Sequence, residues 1–183
     1  QENEDSEFTW VIDPIDGTKA FITGCPLFTT LIGLLHRGEP ILGAIHQPIA
    51  NLTCIGNNTT TTLNGKTVTC RNTDMLEKAT ILSTSIKSAD EYQNGPAFMT
   101  VAKRAGLFRT WGDGYGYLLV ASGQADVMLD PIMNPWDILP VIPVVRGSGA
   151  KIGNWQGGED HWNSSIAATP QLFDATVAAL NAV

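Results

Sequence analysis

Two carboxylates spaced three positions apart are the first residues in this sequence that could do chemistry. Asp13 and Asp16 belong to the segment DPIDGT at residues 13–18, which directly follows the run FTWVI at residues 8–12. Aromatic and β-branched residues of this kind are typical of a strand, and we expect a buried one that ends in a turn carrying both carboxylates. Carboxylate oxygens suit Mg²⁺, which also keeps several waters. The pair therefore indicates a magnesium site, although an Asx-turn would use the same residues to accept backbone hydrogen bonds.

The last two residues of this segment indicate that the site also receives an anion. Gly17 leaves room for a ligand to approach the backbone closely. If a helix begins there, the N–H groups of Gly17 and Thr18 would point toward a phosphate. Thr18 also offers a hydroxyl that can orient a water.

A third carboxylate, Asp137, occurs far along the chain in the segment NPWDILP at residues 134–140. An acidic residue in the first turn of a helix can simply interact with the helix dipole, worth about 0.3–1 kcal/mol. A two-metal site, with ions roughly 3.5–4 Å apart, needs several shared carboxylates. Three carboxylates from two distant segments fit that need, so we predict that Asp13, Asp16 and Asp137 converge.

The segments that must position these carboxylates change in character near Lys78. Before it, apolar runs at residues 27–35 and 41–47 flank the turn sequence RGEP, and Asn64-Gly65 is a favoured two-residue hairpin turn. This part of the chain is therefore expected to form antiparallel strands.

After Lys78, strand patterns alternate with helix patterns, which predicts an α/β arrangement. Thr169 is the expected N-cap of the last helix, and Pro170 its first residue. The predicted strands cover residues 79–84, 108–111, 125–129, 150–152 and 165–168, and the predicted helices cover residues 96–105, 117–122, 135–146 and 170–182.

Composition limits the partners. The chain has 183 residues, 43% of them hydrophobic, with a net charge of −7, so we expect a folded protein that binds neither nucleic acid nor membranes. No apolar run reaches the roughly 20 residues of a membrane span. Cys25, Cys54 and Cys70 form neither a disulfide framework nor a zinc pattern, so we expect free thiols and a cytoplasmic location.

The DPIDGT and NPWDILP segments together match a known family. The sequence resembles the inositol monophosphatase superfamily of magnesium-dependent, lithium-sensitive phosphatases, which carry a D-P-[IL]-D-G-T box followed by a W-D-x-x-P/A/G box. The resemblance implies an α+β and α/β fold: a layered αβαβα sandwich of the inositol monophosphatase and fructose-bisphosphatase type, with its N-terminal helices missing. Residues 1–78 would be the remainder of an N-terminal α+β domain, and residues 79–183 a C-terminal α/β domain. The resemblance also implies a homodimer.

Three further segments look like the histidinol-phosphatase branch of that superfamily: KAFITG at residues 19–24, WGDGYGY at residues 111–117 and DPIMNPWD at residues 130–137. The expected function is therefore hydrolysis of histidinol phosphate in histidine biosynthesis. Two alternatives from the same superfamily are an inositol monophosphatase and a 3'(2'),5'-bisphosphate nucleotidase. An alternative of another class is an inactive fragment or binding module that keeps the fold.

The resemblance assigns roles at the metal site, which would take two or three Mg²⁺ ions. Asp13 would bridge two of them. The carbonyl oxygen of Ile15 would complete one site, and Asp16 and Asp137 the other. Thr18, together with a glutamate upstream, would position and deprotonate the attacking water. Asp13 and Thr18 are thus the expected catalytic residues.

A second set of roles concerns the substrate, a small-molecule phosphate ester. The amides of Gly17 and Thr18 would hold the phosphate, next to Asp16. Asp113 and Asp130 lie where the family contacts the alcohol part of its substrate. Two acidic groups there suit a cationic amine such as histidinol, although both could equally be ordinary turn carboxylates.

One segment that the resemblance requires is missing from this sequence. The family places Gly-Glu-Glu shortly before the strand that leads into the first box, and its first glutamate is a magnesium ligand. Glu2, Glu4 and Glu7 are not preceded by that glycine. We therefore expect this chain alone to bind its first metal poorly and to show weak or no activity.

Overall fold

The computed structural model describes residues 6–160 and 163–182, which fold into two β-sheets with helices packed on them. Glu2 and Glu4 lie outside the described residues. The strands are β1 Phe8–Asp16, β2 Thr29–His36, β3 Glu39–Gln47, β4 Leu52–Gly56, β5 Thr61–Leu63, β6 Lys66–Val68, β7 Thr80–Ser83, β8 Leu107–Arg109, β9 Val127–Asp130, β10 Lys151–Gly153 and β11 Ser165–Ala168. The α-helices are α1 Thr18–Ile22, α2 Ile86–Tyr92, α3 Gly95–Arg104, α4 Asp113–Ala121, α5 Pro135–Ile138, α6 Val141–Gly147 and α7 Pro170–Leu180.

The first sheet joins β1 to β6 in sequence order, with every pair antiparallel. Both predicted hairpin turns are confirmed. Arg37 and Gly38 have φ values of 52° and 86°, and Asn64 and Gly65 have φ values of 48° and 79°. Positive φ at both central residues is the backbone of a two-residue type I′ turn, whose twist matches that of the flanking strands.

The second sheet is mixed, with the order β10-β11-β9-β7-β8. Strand β7 lies between β8 and β9 and is parallel to both. The chain therefore leaves β7 toward β8 on one side and returns to β9 on the other. In sheets of this kind, ligand sites form at the carboxyl ends of the strands beside such a reversal.

The helices divide the molecule into layers. Helices α4 and α6 lie between the two sheets, whereas α3 and α7 pack together beneath the second sheet. Helix α6 can approach the first sheet closely because two positions of that sheet are glycines. A Cβ on Gly43 would lie 1.9 Å from the Pro140 carbonyl oxygen, and a Cβ on Gly56 would lie 2.4 Å from Val144 Cα. The order sheet, helices, sheet, helices accounts for four layers of the expected sandwich.

The burial predicted for the first strand is wrong. Phe8, Trp10 and Ile12 are 53%, 60% and 55% exposed, and β1 is an edge strand. These side chains lie on the outer face of the first sheet together with Ile32 and Ile55, while α4 and α6 cover the inner face. Strand-forming composition reports a fit to a pleated surface and does not tell which layer covers it.

Two helices also differ from their predictions. The predicted helix at residues 135–146 is divided into α5 and α6, because Pro140 has no N–H to continue the hydrogen-bond ladder. Helix α4 begins at Asp113, four residues before the predicted start at Tyr117. Asp113 adopts a left-handed φ of 53°, which the sequence pattern does not reveal.

Two observations bear on the surroundings of the protein. Within the described ranges, no helix combines the length and apolar character needed to cross a membrane. Cys25, Cys54 and Cys70 are free thiols, as predicted. Burial raises the pKa of Cys54 to about 12, so this thiol stays protonated and unreactive.

Candidate active site

A cavity of about 650 Å³ opens beside the carboxyl ends of β7, β8 and β9. Its lining residues come from four segments, at residues 13–27, 84–88, 110–113 and 130–137. The first of these segments begins at the end of β1 and continues through α1, so the cavity lies where the end of β1 meets the second sheet. The five aspartates predicted as site residues all line it: Asp13, Asp16, Asp113, Asp130 and Asp137.

Three of these aspartates form a compact cluster. One carboxylate oxygen from each of Asp13, Asp16 and Asp137 lies within 4.8 Å of the others. Asp13 and Asp16 come from β1, and Asp137 comes from the first turn of α5. The predicted convergence of these side chains is confirmed, and their oxygen donors suit a hard divalent cation such as Mg²⁺.

The convergence of Asp13 and Asp16 depends on an irregularity in β1. Residues three apart in a regular strand point to opposite faces of a sheet. Here the pairing of β1 with β2 shifts between Asp13 and Asp16, which resets this alternation. The Ile15 N–H donates to Asp13 Oδ1 at 3.0 Å, and the Thr30 hydroxyl donates to the Pro14 carbonyl at 3.0 Å. The expected turn is therefore a distortion within a strand that continues to Asp16.

Asp16 is the most enclosed member of the cluster, at 7% exposure. Its Oδ2 accepts hydrogen bonds from the Thr29 hydroxyl at 2.7 Å and from the Gly114 N–H at 2.6 Å. Burial raises the pKa of Asp16 to about 7, and repulsion from Asp113 adds to the rise. Gly114 permits this contact, because a Cβ there would lie 2.7 Å from Asp16 Oδ2.

Asp13 and Asp137 are half-buried and repel each other. Burial raises the pKa of Asp13, and the Asp137 charge raises it further. Asp137 Oδ2 also accepts from the Asn134 N–H at 3.0 Å and from the Asn134 side-chain amide at 3.1 Å, which caps α5. Asp137 lies in the first turn of α5, where it can interact with the helix dipole as expected, and it also belongs to the carboxylate cluster. A bound cation would offset the repulsion among these acids, so the donor set fits magnesium.

The residues predicted to meet the phosphate lie next to the cluster. Helix α1 begins at Thr18, and Gly17 precedes it with a left-handed φ of 79°. The helix start on which the phosphate prediction depended is therefore present. The Thr18 hydroxyl donates to the Ile15 carbonyl at 3.1 Å, which ties Thr18 to the backbone of the carboxylate segment.

Asp113 and Asp130 also line the cavity, and Asp113 lies close to Gly17, since a Cβ on Gly17 would lie 3.0 Å from Asp113 Oδ2. Burial raises the pKa of Asp113, repulsion from Asp137 adds to it, and the Lys19 charge opposes it. Asp130 is 5% exposed, and burial together with repulsion from Asp113 raises its pKa well above the ordinary value. The Tyr117 hydroxyl donates to Asp130 Oδ2 at 3.3 Å. The structure thus places both acids in the cavity, and their contact with the substrate stays a prediction.

Several lining residues were missed by the sequence reasoning. Thr84 and Thr110 follow β7 and β8, while Ile132 and Trp136 line the cavity although they are 46% and 49% exposed. The available signal was positional: Thr84 ends a predicted strand of a sheet expected to contain parallel strands, where ligand sites form. The side chains themselves carry no chemical signature.

Comparison with known proteins agrees with this geometry. The family model described as "Inositol monophosphatase family" matches residues 1–183. The "Bifunctional phosphatase IMPL2, chloroplastic" of Arabidopsis thaliana is 39% identical over 176 residues, covering 96% of this chain and 51% of that protein. A histidinol-phosphatase of Chlorobaculum parvum is 36% identical over 149 residues, covering 81% of this chain and 58% of that protein.

The fold has close solved counterparts. An inositol monophosphatase from Zymomonas mobilis superposes with a TM-score of 0.89 at 30% identity, covering 96% of this chain and 71% of that one. The chain spans between about half and three fifths of the length of the two curated relatives described above. The match of the family model to the whole sequence, together with these likenesses, shows that the chain belongs to the inositol monophosphatase family.

Proposed function

We propose that this chain carries the site of a magnesium-dependent phosphate monoester hydrolase that acts on histidinol phosphate, a step of histidine biosynthesis. One observation supports this above all. The cavity holds a carboxylate cluster suited to metal, Asp13, Asp16 and Asp137, and beside it two further acids, Asp113 and Asp130. The first group suits the phosphate end of the substrate with its cations, and the second suits a positively charged alcohol.

The metal end uses the acidic cluster. Asp13, Asp16 and Asp137, with the Ile15 carbonyl, would hold the magnesium ions. Bound magnesium would neutralise phosphate charge and favour ionisation of a water. The raised pKa values of Asp13 and Asp16 support this assignment, because they arise from burial of the carboxylates and, to a smaller extent, from repulsion by neighbouring carboxylates.

The phosphate would lie at the start of α1, where the amides of Gly17 and Thr18 can donate to its oxygens. Because the Thr18 hydroxyl donates its proton to the Ile15 carbonyl, its lone pairs can accept from the attacking water. The water oxygen bonds to phosphorus as the bond from phosphorus to the alcohol oxygen breaks. The products are inorganic phosphate and the free alcohol.

The alcohol end distinguishes the candidate substrates. Asp113 and Asp130 both have pKa values raised by burial and by neighbouring carboxylates, and an ammonium group placed between them would relieve that repulsion. Histidinol supplies such a group. The similarity to histidinol-phosphatases supports the same choice. Inositol monophosphate is the second candidate, supported by the likeness to the Zymomonas mobilis inositol monophosphatase.

We also propose a homodimer and a reducing compartment such as the cytoplasm. The dimer follows from the family resemblance. The compartment is supported by the free state of Cys25, Cys54 and Cys70. The Arabidopsis thaliana relative is named as chloroplastic.

The test compares phosphate release from histidinol phosphate and from inositol 1-phosphate, with magnesium or with a chelator. We expect magnesium-dependent release that is faster from histidinol phosphate. Faster release from inositol phosphate would refute the proposed substrate. The melting temperature is measured over a magnesium titration as well, which reports metal binding independently of turnover. If the chain showed no turnover and no magnesium-dependent shift in melting temperature, the proposed hydrolase would be refuted and a binding module favoured.

A further inference from the structure

Thr84 occupies a central place behind the two acids at the alcohol end of the cavity. It follows β7, the strand between β8 and β9, and its side chain is half-buried. Thr84 lines both the main cavity and a smaller one of about 70 Å³ beneath it. Asp113 and Asp130 line the same two cavities, although Asp113 begins α4 and Asp130 ends β9.

One hydroxyl group connects these two acids. Thr84 Oγ1 accepts a hydrogen bond from the Asp113 N–H at 3.0 Å. The Thr84 side chain also lies close enough to the Asp130 carboxyl group to oppose the rise in the pKa of that group, and both residues line the same two cavities. A threonine hydroxyl has one proton and two lone pairs, so it can accept from the amide and donate to the carboxylate at the same time.

The backbone just before Asp113 packs closely against Thr84. A Cβ on Gly112 would lie 2.3 Å from Thr84 Cα and 2.6 Å from Thr84 Oγ1, so this position accepts only glycine without a shift. Asp113 then adopts its left-handed φ of 53°, a conformation that costs free energy in residues other than glycine. The hydrogen bond to Thr84 helps to hold that conformation, and with it the direction of the Asp113 side chain.

The Asp130 carboxylate must be restrained for a different reason. Its carboxylate is buried and is repelled by Asp113, Asp16 and Asp137. The Tyr117 hydroxyl restrains it by donating to Oδ2 at 3.3 Å, and the nearby Thr84 side chain favours its charged form. Loss of the Thr84 hydroxyl would release the backbone of one acid and the carboxylate of the other together.

We propose that Thr84 is a positioning residue for the alcohol half of the substrate, because its single hydroxyl fixes Asp113 and Asp130 relative to each other. The inference rests on the proposed function in one respect, namely that these two acids contact the alcohol. Thr84 itself acts through the acids. Its effect should therefore be larger on recognition of the alcohol than on phosphate binding at Gly17 and Thr18, although Asp113 also lies close to Gly17.

The experiment measures binding of the alcohol product and of inorganic phosphate separately, so that the two halves of the substrate can be compared. Calorimetry in magnesium gives the dissociation constants of L-histidinol, myo-inositol and inorganic phosphate for the unchanged chain and for each variant. The measurements on the unchanged chain show which alcohol it binds more tightly. Tighter binding of myo-inositol than of L-histidinol would refute the proposed substrate. The variants are then compared with whichever alcohol binds more tightly, so the two ideas can fail independently.

Thr84→Val keeps the side-chain volume and removes the hydroxyl. We expect it to weaken alcohol binding roughly tenfold and to change phosphate binding by less than about twofold. Thr84→Ser keeps the hydroxyl and should restore alcohol binding. Thr80→Val, at the other end of the same strand and outside the cavity, is the matched control and should change neither. If the valine variant does not fold, Thr84→Ala provides the same comparison.

Three outcomes would overturn the inference. Alcohol binding by Thr84→Val within about twofold of the unchanged chain would show that the hydroxyl is dispensable. Parallel losses for alcohol and phosphate would indicate a general structural role. Failure of Thr84→Ser to restore alcohol binding would show that the hydroxyl is not the group responsible.

Discussion

Asp137 shows how one residue can serve stability and chemistry at once. It caps α5 by accepting from Asn134, and it also belongs to the carboxylate cluster with Asp13 and Asp16. The first role needs only an acceptor oxygen, whereas binding a cation needs the negative charge. Substitution by asparagine therefore separates the two roles.

We expect Asp137→Asn and Asp13→Asn to reduce turnover of the enzyme by at least about a hundredfold and to remove the magnesium-dependent rise in melting temperature. The free energy of unfolding without magnesium should change by less than about 1 kcal/mol, since asparagine keeps an acceptor. Asp74→Asn, at an exposed position outside the cavity, is the control. An unchanged magnesium response in either site variant would contradict the assignment.

Asp16 gives a prediction about pH. Its pKa is raised from 3.8 to about 7, so between these values the folded chain holds a proton that the unfolded chain releases. Lowering the pH through this range therefore favours the folded state, and stability is lost as the pH rises toward 7. In a chelator, the free energy of unfolding should fall by about 2 kcal/mol between about pH 5 and about pH 7.

Denaturant unfolding at several pH values measures this fall. Asp13, Asp113 and Asp130 have pKa values raised in the same direction and should add to it. Asp16→Asn should flatten the dependence markedly, because asparagine does not titrate. A metal-free chain that becomes more stable from pH 5 to pH 7 would contradict the prediction.

At the scale of elements, the close packing of α6 against the first sheet depends on glycines in the strands, which have no side chain. Gly43→Ala would place a Cβ 1.9 Å from the Pro140 carbonyl oxygen at the start of α6. We expect a loss of at least about 1–3 kcal/mol in the free energy of unfolding, since a backbone atom must move. The neighbouring Ala44→Ser, on the opposite face of β3, should change it by less than about 0.5 kcal/mol. Equal effects of the two substitutions in denaturant unfolding would contradict this packing.

Local sequence signals predicted some elements well and others poorly. The Asn64-Gly65 hairpin turn was predictable, because positive φ at two successive residues favours that pair. Helix α1 has only five residues, and the pattern gives no signal for so short an element. Helix α2 was also missed, although Ser85 caps it by accepting from the Ser88 N–H at 3.1 Å. The distortion of β1 is set by its pairing with β2 and leaves no local signature.

At the scale of the whole molecule, an ion pair between the partly exposed Arg71 and the buried Asp126 joins the segment between the sheets to the second sheet. Asp126 is fully buried, and its Oδ2 accepts from Arg71 at 3.1 Å and from the Thr80 N–H at 2.7 Å. Arg71 also donates to the Gly123 carbonyl at 2.8 Å. Removing the arginine would leave a buried charge without its cation.

Arg71→Met should therefore lower the free energy of unfolding by about 2–4 kcal/mol. Arg104→Met is the comparison, since Arg104 forms a 2.9 Å ion pair with Glu77 in which both side chains are exposed. Pairs of that kind contribute less than about 1 kcal/mol. Thermal unfolding of both variants measures the difference, and similar losses would argue against a structural role for the pair of Arg71 and Asp126.

The division of the chain into domains at residue 78 stays a prediction. The strands of the first sheet all precede that residue, but α4 and α6 contact both sheets. The exposed outer face of the first sheet, with Trp10 at 60% exposure, is also a property of the whole assembly of layers. Neither the contacts of α4 and α6 with both sheets nor the exposure of this outer face could be judged from residues close together in the sequence.

The sequence by itself determined the chemistry available and the family. Carboxylates in the DPIDGT and NPWDILP segments specify oxygen ligands whatever the fold, and turn preferences act over two residues. The tertiary structure alone decided that Asp113, Asp130 and Thr84 share one cavity and that one face of β1 stays uncovered. The physical reason is range: backbone preferences are local, whereas the contact between Asp16 and Gly114 joins residues 98 positions apart and forms only when the layers pack.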